Sequence, residues 1–457
     1  MLGSGAVFLE GTVVGVALPA IARDFGLGVA GLQWVMNGFL VTLSALILLG
    51  GALGDRYPRV TVFIVGCLGF AATSAACAFA PGPVLLVVFR VLQGATGALL
   101  VPNSLAILET SFSGEARGAA IGQWAAWSGI SGAAGPLLGG WLVDIASWRW
   151  VFAGVVVFAL AAGVIAMRHA PHIRSQPSDA SNKGPVDYLG AVLGTLGLAS
   201  IVGALIAGPD LGFTQAGVLA ALLGGIVLLV AFAFTEHRVA RRGREPLLPV
   251  AVFRSRQFTG ANVTTVLVYA ALYGLFFLLI LQLQNNLGYS ALASGAALLP
   301  MNVLLLVVSP VAGRVGARIG PRIPMAVGAL VAAVGMLLFA RVQPGASYLR
   351  VVLPATVVFG LGLATLVAPL TSAVLDALDE SQAGIASGIN NAVARLAGLV
   401  ATAALPLAAG LGGVRLEGPA FAAGYARAMW ICAGLCAAGA AVALATVRGG
   451  ADSKSVE

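Results

Sequence analysis

The chain has 457 residues, of which 59% are hydrophobic and only 9% charged, with a formal net charge of +8. A soluble domain carries roughly 25% charged residues, and no water-soluble fold hides this much apolar surface, so the bilayer is the solvent. The basic excess falls in short breaks between apolar runs and forms no patch, which argues against nucleic acid as a partner.

A membrane-crossing helix needs about 20 mostly apolar residues. Fourteen segments satisfy this, at 2–21, 30–53, 60–80, 83–108, 118–142, 149–168, 187–207, 214–235, 258–283, 291–313, 322–342, 348–375, 383–410 and 421–446. No basic region precedes the first apolar stretch, so no cleaved signal peptide is expected. Cys67, Cys77, Cys432 and Cys436 lie inside apolar runs, where cysteine behaves as a small hydrophobe. His169 and His172 stand beside Arg168 and Arg174, a cationic setting poor for a metal, and no metal site is expected.

With an even number of spans, both termini share one side. Loops on that side carry Arg56, Arg59, Arg117, Arg168, Arg174, Lys183, Arg238, Arg241, Arg242, Arg244, Arg254, Arg256, Arg314, Arg318, Arg322, Arg448 and Lys454. The opposite side has only Arg23, Arg149, Arg341, Arg350, Arg415 and Arg427 near it. Cationic loops are retained in the cytoplasm, so both termini are expected there and the chain in the inner (cytoplasmic) membrane.

An internal repeat is legible. Gly51-Ala-Leu-Gly-Asp-Arg-Tyr-Pro58 follows the second span and Gly313-Arg-Val-Gly-Ala-Arg-Ile-Gly320 the tenth; Pro102-Asn-Ser-Leu-Ala-Ile-Leu108 echoes Pro369-Leu-Thr-Ser-Ala-Val-Leu375. Both pairs run in the same chain direction, as in transporters built from parallel halves. The pattern predicts an all-α membrane protein: a six-helix bundle over 1–168, a linker with two extra helices over 169–257, and a second six-helix bundle with a short tail over 258–457.

On further motifs the chain resembles the fourteen-span drug:proton antiporters of the major facilitator superfamily. Leu9-Glu-Gly-Thr-Val-Val-Gly-Val-Ala-Leu-Pro19 looks like that family's first-span motif, and Gln33-Trp34 matches the start of its second span. Gly51 to Arg59 resembles its loop signature between spans two and three, and Arg90-Val-Leu-Gln-Gly-Ala-Thr-Gly97 its fourth-span motif. Gly132-Ala-Ala-Gly-Pro-Leu-Leu-Gly-Gly140 is similar to the antiporter motif of span five; Trp148-Arg-Trp-Val-Phe152 and Ala383-Gly-Ile-Ala-Ser-Gly388 also match. Three positions depart from the pattern: Glu10 replaces a usual Asp, Pro58 a usual Gly and Val60 a usual basic residue. The resemblance implies a major facilitator fold and proton-coupled export of small lipophilic molecules, with polyspecific drug efflux and dedicated export of one metabolite both open.

Glu10 is the first candidate for proton coupling, because it is the only carboxylate well inside a span. Such residues usually face a cavity or a partner and mark an ion path; a structural carboxylate held by one cation is the alternative. Arg90 lies at a depth within near reach of Glu10, and the resemblance implies its part in proton transfer. By the same resemblance Asp55, Arg56 and Arg59 form a conformational latch, where a solvated topology signal would use the same arginines. Gly132, Gly135 and Gly139 recur at helical spacing, with Pro136 and Gly140 beside them. A small-residue stripe packs closely and proline frees a backbone acceptor, which suits either a rocking interface or plain tight packing.

Trp34, Asn37, Gln123, Trp124, Trp127, Tyr269, Tyr273 and Gln282 are candidates for a substrate cavity, since apolar pockets with a few polar groups take lipophilic ligands; lipid-facing or packed aromatics read the same. Asn390 and Arg395 near mid-membrane suggest either a polar cavity or a packing ion pair. The chain has no Gly-x-x-x-x-Gly-Lys-[Ser/Thr], and its only lysines are Lys183 and Lys454. The expected energy source is therefore the proton gradient, with no cofactor. A channel would need a polar ring and a sensor a sizeable soluble domain, and neither is visible. The expected partners are a small-molecule substrate, protons and lipid, with the chain acting as a monomer.

Overall fold

The computed structural model describes residues 1–112, 114–173, 187–241, 250–379 and 382–449. Arg174, Lys183, Arg242, Arg244 and Lys454, read above as topology signals, lie outside the described residues. The described residues form helices and no strands, as lipid demands of any open-chain segment, since a helix satisfies its own backbone.

In chain order the helices are α1 (Leu2–Phe25), α2 (Val29–Arg56), α3 (Arg59–Ala78), α4 (Pro83–Ser111), α5 (Gly114–Ile145), α6 (Arg149–Ile173), α7 (Tyr188–Leu211) and α8 (Ala216–Arg241). They continue with α9 (Arg256–Asn286), α10 (Ala291–Ala296), α11 (Leu299–Ile319), α12 (Arg322–Phe339), α13 (Leu353–Leu375), α14 (Ala383–Ala408) and α15 (Pro419–Thr446). Among the described residues thirteen spans are long and apolar enough to cross a membrane. The 32-residue α5 stands where the remaining expected segment lies.

Local chemistry sets several boundaries. Gly26 ends α1 with φ 66° and donates its N–H to the Ala22 carbonyl, a left-handed cap that glycine adopts without steric cost. Asp187 opens α7 by accepting from the Gly190 N–H at 2.8 Å, and Ser255 opens α9 by accepting from Phe258 N at 3.3 Å. One expected span is built of two helices: the segment 291–313 falls in the single candidate span Ala291–Ile319, made of the short α10 followed by α11, with Pro300 in the first turn of α11. Proline has no N–H to give the preceding turn and biases the residue before it away from helix.

The chain divides into two compact units, Met1–Pro249 with Ser290–Leu292, and Val250–Tyr289 with Ala293–Glu457. In the first, α1 packs on α5 and α6, α2 on α4, and α3 on α4 and α6. In the second, α9 packs on α14 and α15, α11 on α13, and α12 on α13 and α15. The two schemes are the same when α1–α6 are matched in order to α9 and α11–α15, which is the parallel repeat read from the sequence motifs.

The extra hairpin α7–α8 belongs to the first unit. A Cβ added at Gly225 would lie 2.9 Å from the Gly197 carbonyl oxygen, and one at Gly203 would lie 3.2 Å from the Trp34 ring. Small residues thus set both the crossing within the hairpin and its seat on α2. This is how membrane helices associate when no hydrophobic drive separates helix from lipid.

Candidate functional site

Among the described residues, the first unit completely buries the ion pair of Glu10 with Arg90. Glu10, from the middle of α1, is 0% exposed, and Arg90 of α4 is 1% exposed. Arg90 Nη1 donates to Glu10 Oε1 and also to Gln93 Oε1 at 2.7 Å. Its Nε donates to the Val35 carbonyl of α2 at 3.0 Å. The guanidinium carbon stands 4.5 Å from the centroid of Phe39 and 5.8 Å from that of Phe152. Four helices therefore supply the surroundings of one cation: a carboxylate, an amide, a backbone carbonyl and two aromatic faces.

Helix packing brings these groups together. α2 and α4 approach closely because Gly94 of α4 faces the Phe39 carbonyl and the Thr42 hydroxyl with no room for a Cβ. Thr42 Oγ1 then donates to the Val91 carbonyl across the interface at 2.7 Å. On the other side of α1, Gly135 and Gly139 of α5 stand against Thr12, Leu9 and Val13, so the two faces of α1 beside Glu10 are both closely covered. Taking two charges out of water is costly, and only close pairing with added hydrogen bonds offsets it. Here Glu10 Oε2 has no hydrogen-bond partner among the described residues, so the carboxylate keeps acceptor capacity that its cation does not use.

The span-five motif is divided in its contacts. Gly135 and Gly139 pack on α1, whereas nothing lies within 4 Å of a Cβ at Gly132, so the expected three-glycine stripe is a two-glycine contact. Pro136 is partly buried within the continuous α5. Gly140 faces the backbone of Ala291 and Leu292, residues that belong to the first unit. Asp144 accepts from their N–H groups at 3.0 and 2.9 Å.

At the Arg56 end of α2, Arg59 pairs with Asp55 at 2.7 Å and donates to the Ala106 carbonyl of α4 at 3.4 Å, while Arg56 is exposed. The contact joins α2, α3 and α4 within the first unit. Near the Phe25 end of α1, Asp24 accepts from Trp148 Nε1 at 2.9 Å and Arg149 Nη1 at 2.7 Å, tying α1 to the start of α6.

The cavity candidates are dispersed. Trp34 faces the hairpin at Gly203, Asn37 is 0% exposed, and Gln123 is exposed. Trp124 donates to Ser104 Oγ at 2.9 Å and meets Phe8 edge-on. Trp127 lies against Gly5 and keeps part of its ring exposed. In the second unit Tyr273 packs on Gly398, Tyr269 is partly buried on the same helix, and Arg395 is partly buried on α14. Asn390 donates to Asn262 Oδ1 at 3.1 Å and Thr265 Oγ1 at 2.8 Å, joining α14 to α9. Gln282 is buried and donates to the Val342 carbonyl at 2.9 Å, an anchoring role between α9 and the segment after α12. Glu10 and Arg90 are thus the expected site residues that the structure brings into direct contact at full burial. Sequence reasoning did not single out Gln93, Asp24 or Asp144. The i,i+3 spacing of Arg90 and Gln93 on one helix face was the available signal for the first of them.

Residues 1–402 match the family profile described as Major Facilitator Superfamily. Among similar curated proteins is a tetracenomycin C resistance and export protein of Streptomyces glaucescens, 34% identical over 88% of this chain and 73% of that protein. A puromycin resistance protein of Streptomyces alboniger is 36% identical over 87% and 78%. The multidrug resistance protein Stp of Mycobacterium tuberculosis is 31% identical over 86% and 71%. Among solved structures, a bacterial homologue of the lysosomal transporter Spinster, inward-facing and unoccupied, superposes with a TM-score of 0.68 at 14% identity, over 97% of this chain and 95% of that one. The peptide transporter POT in complex with sulfate gives 0.69 at 16% identity, over 97% and 93%.

Proposed function

Because this multi-pass membrane chain belongs to the major facilitator superfamily, we propose that it is a proton-coupled antiporter that exports small lipophilic molecules, antibiotics and other drugs among them, by alternating access. The reading rests on the pairing of a fully buried carboxylate, Glu10, with an arginine that stays charged at any physiological pH. The relatives support the export half of the proposal: one is a tetracenomycin C resistance and export protein, one a puromycin resistance protein and one a multidrug resistance protein.

The chemistry runs as an exchange of counter-charge. With Glu10 ionised, the pair is neutral overall and its charges satisfy one another. When a path to the proton-rich side opens, a proton on Glu10 leaves Arg90 as a net positive charge in a dry site. That change alters the free-energy difference between arrangements of the helices that surround the pair, and release of the proton on the other side reverses it. One proton moved through about 100 mV supplies roughly 2.3 kcal/mol, and one pH unit adds about 1.4. Together these sustain a substrate gradient of several hundredfold, with neither nucleotide nor cofactor required. The loop charges favour an orientation with both termini in the cytoplasm of the cell whose inner membrane holds the protein. A single copy holds every group used here.

The test is dye export from cells and from everted vesicles, with and without a protonophore. Collapse of the proton gradient stops wild-type export, and Glu10→Gln abolishes coupled export, by on the order of a hundredfold or more, while the protein still reaches the membrane. Export that continues undiminished in Glu10→Gln removes this carboxylate from the mechanism. A resistance profile across chemically unrelated drugs separates a polyspecific exporter from one dedicated to a single metabolite.

A further inference from the structure

The Glu10–Arg90 pair does not end at its two charges. Gln93, one turn along α4 from Arg90, is 0% exposed and sits between the guanidinium and helix α3. Its Oε1 accepts from Arg90 Nη1 at 2.7 Å, and its Nε2 donates to Ser74 Oγ at 2.7 Å. Ser74 is itself 0% exposed, and the Cys77 thiol lies 3.8 Å from the same Oε1. Arg90, which can only donate, fixes which way the amide points, and the serine anchors its other end. With Nε2 bound to the hydroxyl oxygen, Oε1 is turned toward Arg90. If the amide rotated by half a turn, an N–H would face the cation.

We propose that Gln93, anchored by Ser74, is a positioning residue that holds the Arg90 guanidinium through both protonation states of Glu10 and thereby sets the pH at which Glu10 exchanges its proton. The inference rests on the proton-coupling reading above and adds to it a tuning element outside the ion pair.

The physical case compares the two states of the carboxyl. When Glu10 is ionised, it offers acceptor capacity in excess, because Oε2 has no hydrogen-bond partner among the described residues. Loss of the Gln93 acceptor is then partly made good by the carboxylate. When Glu10 is protonated, that charge is gone, and Arg90, which remains a cation, depends on neutral acceptors: the Val35 carbonyl and Gln93 Oε1. A buried cation deprived of an acceptor is costly. Gln93 therefore stabilises the protonated state more than the ionised one, and its removal makes proton uptake harder.

Few other groups contribute charge here. Glu10 comes from α1, Arg90 from α4, and the Cys77 thiol from α3. The remaining helices that pack around the pair carry no ionisable side chain along their middles: none falls between Val29 and Asp55 on α2, between Arg117 and Asp144 on α5, or between Arg149 and Arg168 on α6. A shift in the proton equilibrium on changing Gln93 or Ser74 therefore acts through the cluster itself.

The experiment is an infrared titration of the purified full-length protein in liposomes, following the C=O stretch of a buried protonated carboxyl assigned by its loss in Glu10→Gln. It needs no transported substrate. Gln93→Leu is expected to move the midpoint of that band to lower pH by about one unit, a tenfold loss of proton affinity. Ser74→Ala, which keeps the amide but removes the partner of its Nε2 and so loosens its hold, moves it the same way by about half as much. Size-exclusion profiles and thermal unfolding test whether each variant is folded; Ser74→Ala, the milder change, serves if Gln93→Leu is not. A midpoint that stays put in a folded variant, or moves to higher pH, overturns the inference while leaving Glu10 as the coupling residue. A wild-type protein with no titrating band overturns both readings. Dye export that ignores the proton gradient, alongside a band that shifts as stated, sinks the antiport proposal and leaves the role of Gln93 standing.

Discussion

Counted back from the proline that the two repeats share, Pro102 in α4 and Pro369 in α13, the position of Arg90 corresponds to Val357 and that of Gln93 to Gly360. The helices around them pack in the same order, yet the first bundle holds a buried arginine and glutamine where the second holds an aliphatic side chain and no side chain at all. No Asp or Glu falls inside any candidate span of the second unit; its buried polar contact between α9 and α14 is made by the neutral Asn262, Thr265 and Asn390. The difference teaches that the fold does not require the pair. The shared architecture is secured by close small-residue contacts and apolar packing, and the buried carboxylate–cation pair is an addition to one half, consistent with a functional use there.

The sharpest way to break this comparison is to make the first bundle resemble the second. Arg90→Ala alone strands Glu10 in a dry site and is expected to lower stability by about 3–5 kcal/mol, read by thermal unfolding in detergent. The double change Glu10→Met with Arg90→Leu should recover most of that loss, because well-packed apolar residues replace a buried pair at little or no cost, and should still fail to export. If the double variant stays as unstable as the single one, the pair is structural and the contrast between halves loses its meaning. The reverse graft, Val357→Arg, places a cation in the second bundle with no carboxylate in that bundle's spans; a cost of about 2–3 kcal/mol is expected, measured as lost insertion or lower unfolding temperature.

Changes that treat the halves alike sharpen the comparison from the other side. Gly94→Leu forces a side chain against the Phe39 carbonyl, and Gly362→Leu forces one against the backbone of Ala332 and Gly328. Each should cost about 1–3 kcal/mol through overpacking, with similar loss of folded protein in the two bundles. The smallest expected effect is at the rim. Asp24→Asn weakens a pair with Arg149 in which both side chains are about two-fifths exposed, so a stability change of about 0.2–1 kcal/mol is expected, falling as salt is added.

Much of this was legible in the chain itself, and the reasons are specific. Apolar runs of span length announce helices, and the echo of Pro102-Asn-Ser in Pro369-Leu-Thr-Ser announces two parallel bundles, since both signals are carried by residue type and order. Glu10 and Arg90 stand out because a charge at span depth is rare enough to demand a reason. Gln93 and Ser74 do not stand out, because uncharged polar residues occur throughout these helices and only three-dimensional placement singles out the two that touch. The break between α10 and α11 was signalled by Pro300 but hidden by unbroken hydrophobicity around it. Gly132 misled for a related reason: helical spacing assigns it to the face of Gly135 and Gly139, yet at that level α1 meets α5 through Ser131 and Trp127, which stand against Gly5.

The three-way grip on Arg90 carries a last consequence, about shape. Its Nε and Nη1 hydrogens diverge to reach a carbonyl on α2, a carboxylate on α1 and an amide on α4, and the flat face of the group lies against Phe39. A lysine at this position would preserve the sign of the charge and forfeit the wiring, because a compact ammonium has no rigid fork and no plane to stack. Arg90→Lys should therefore behave like a deletion of the connection rather than a conservative exchange, and a homologue carrying lysine there would have to hold its acid by a different set of contacts.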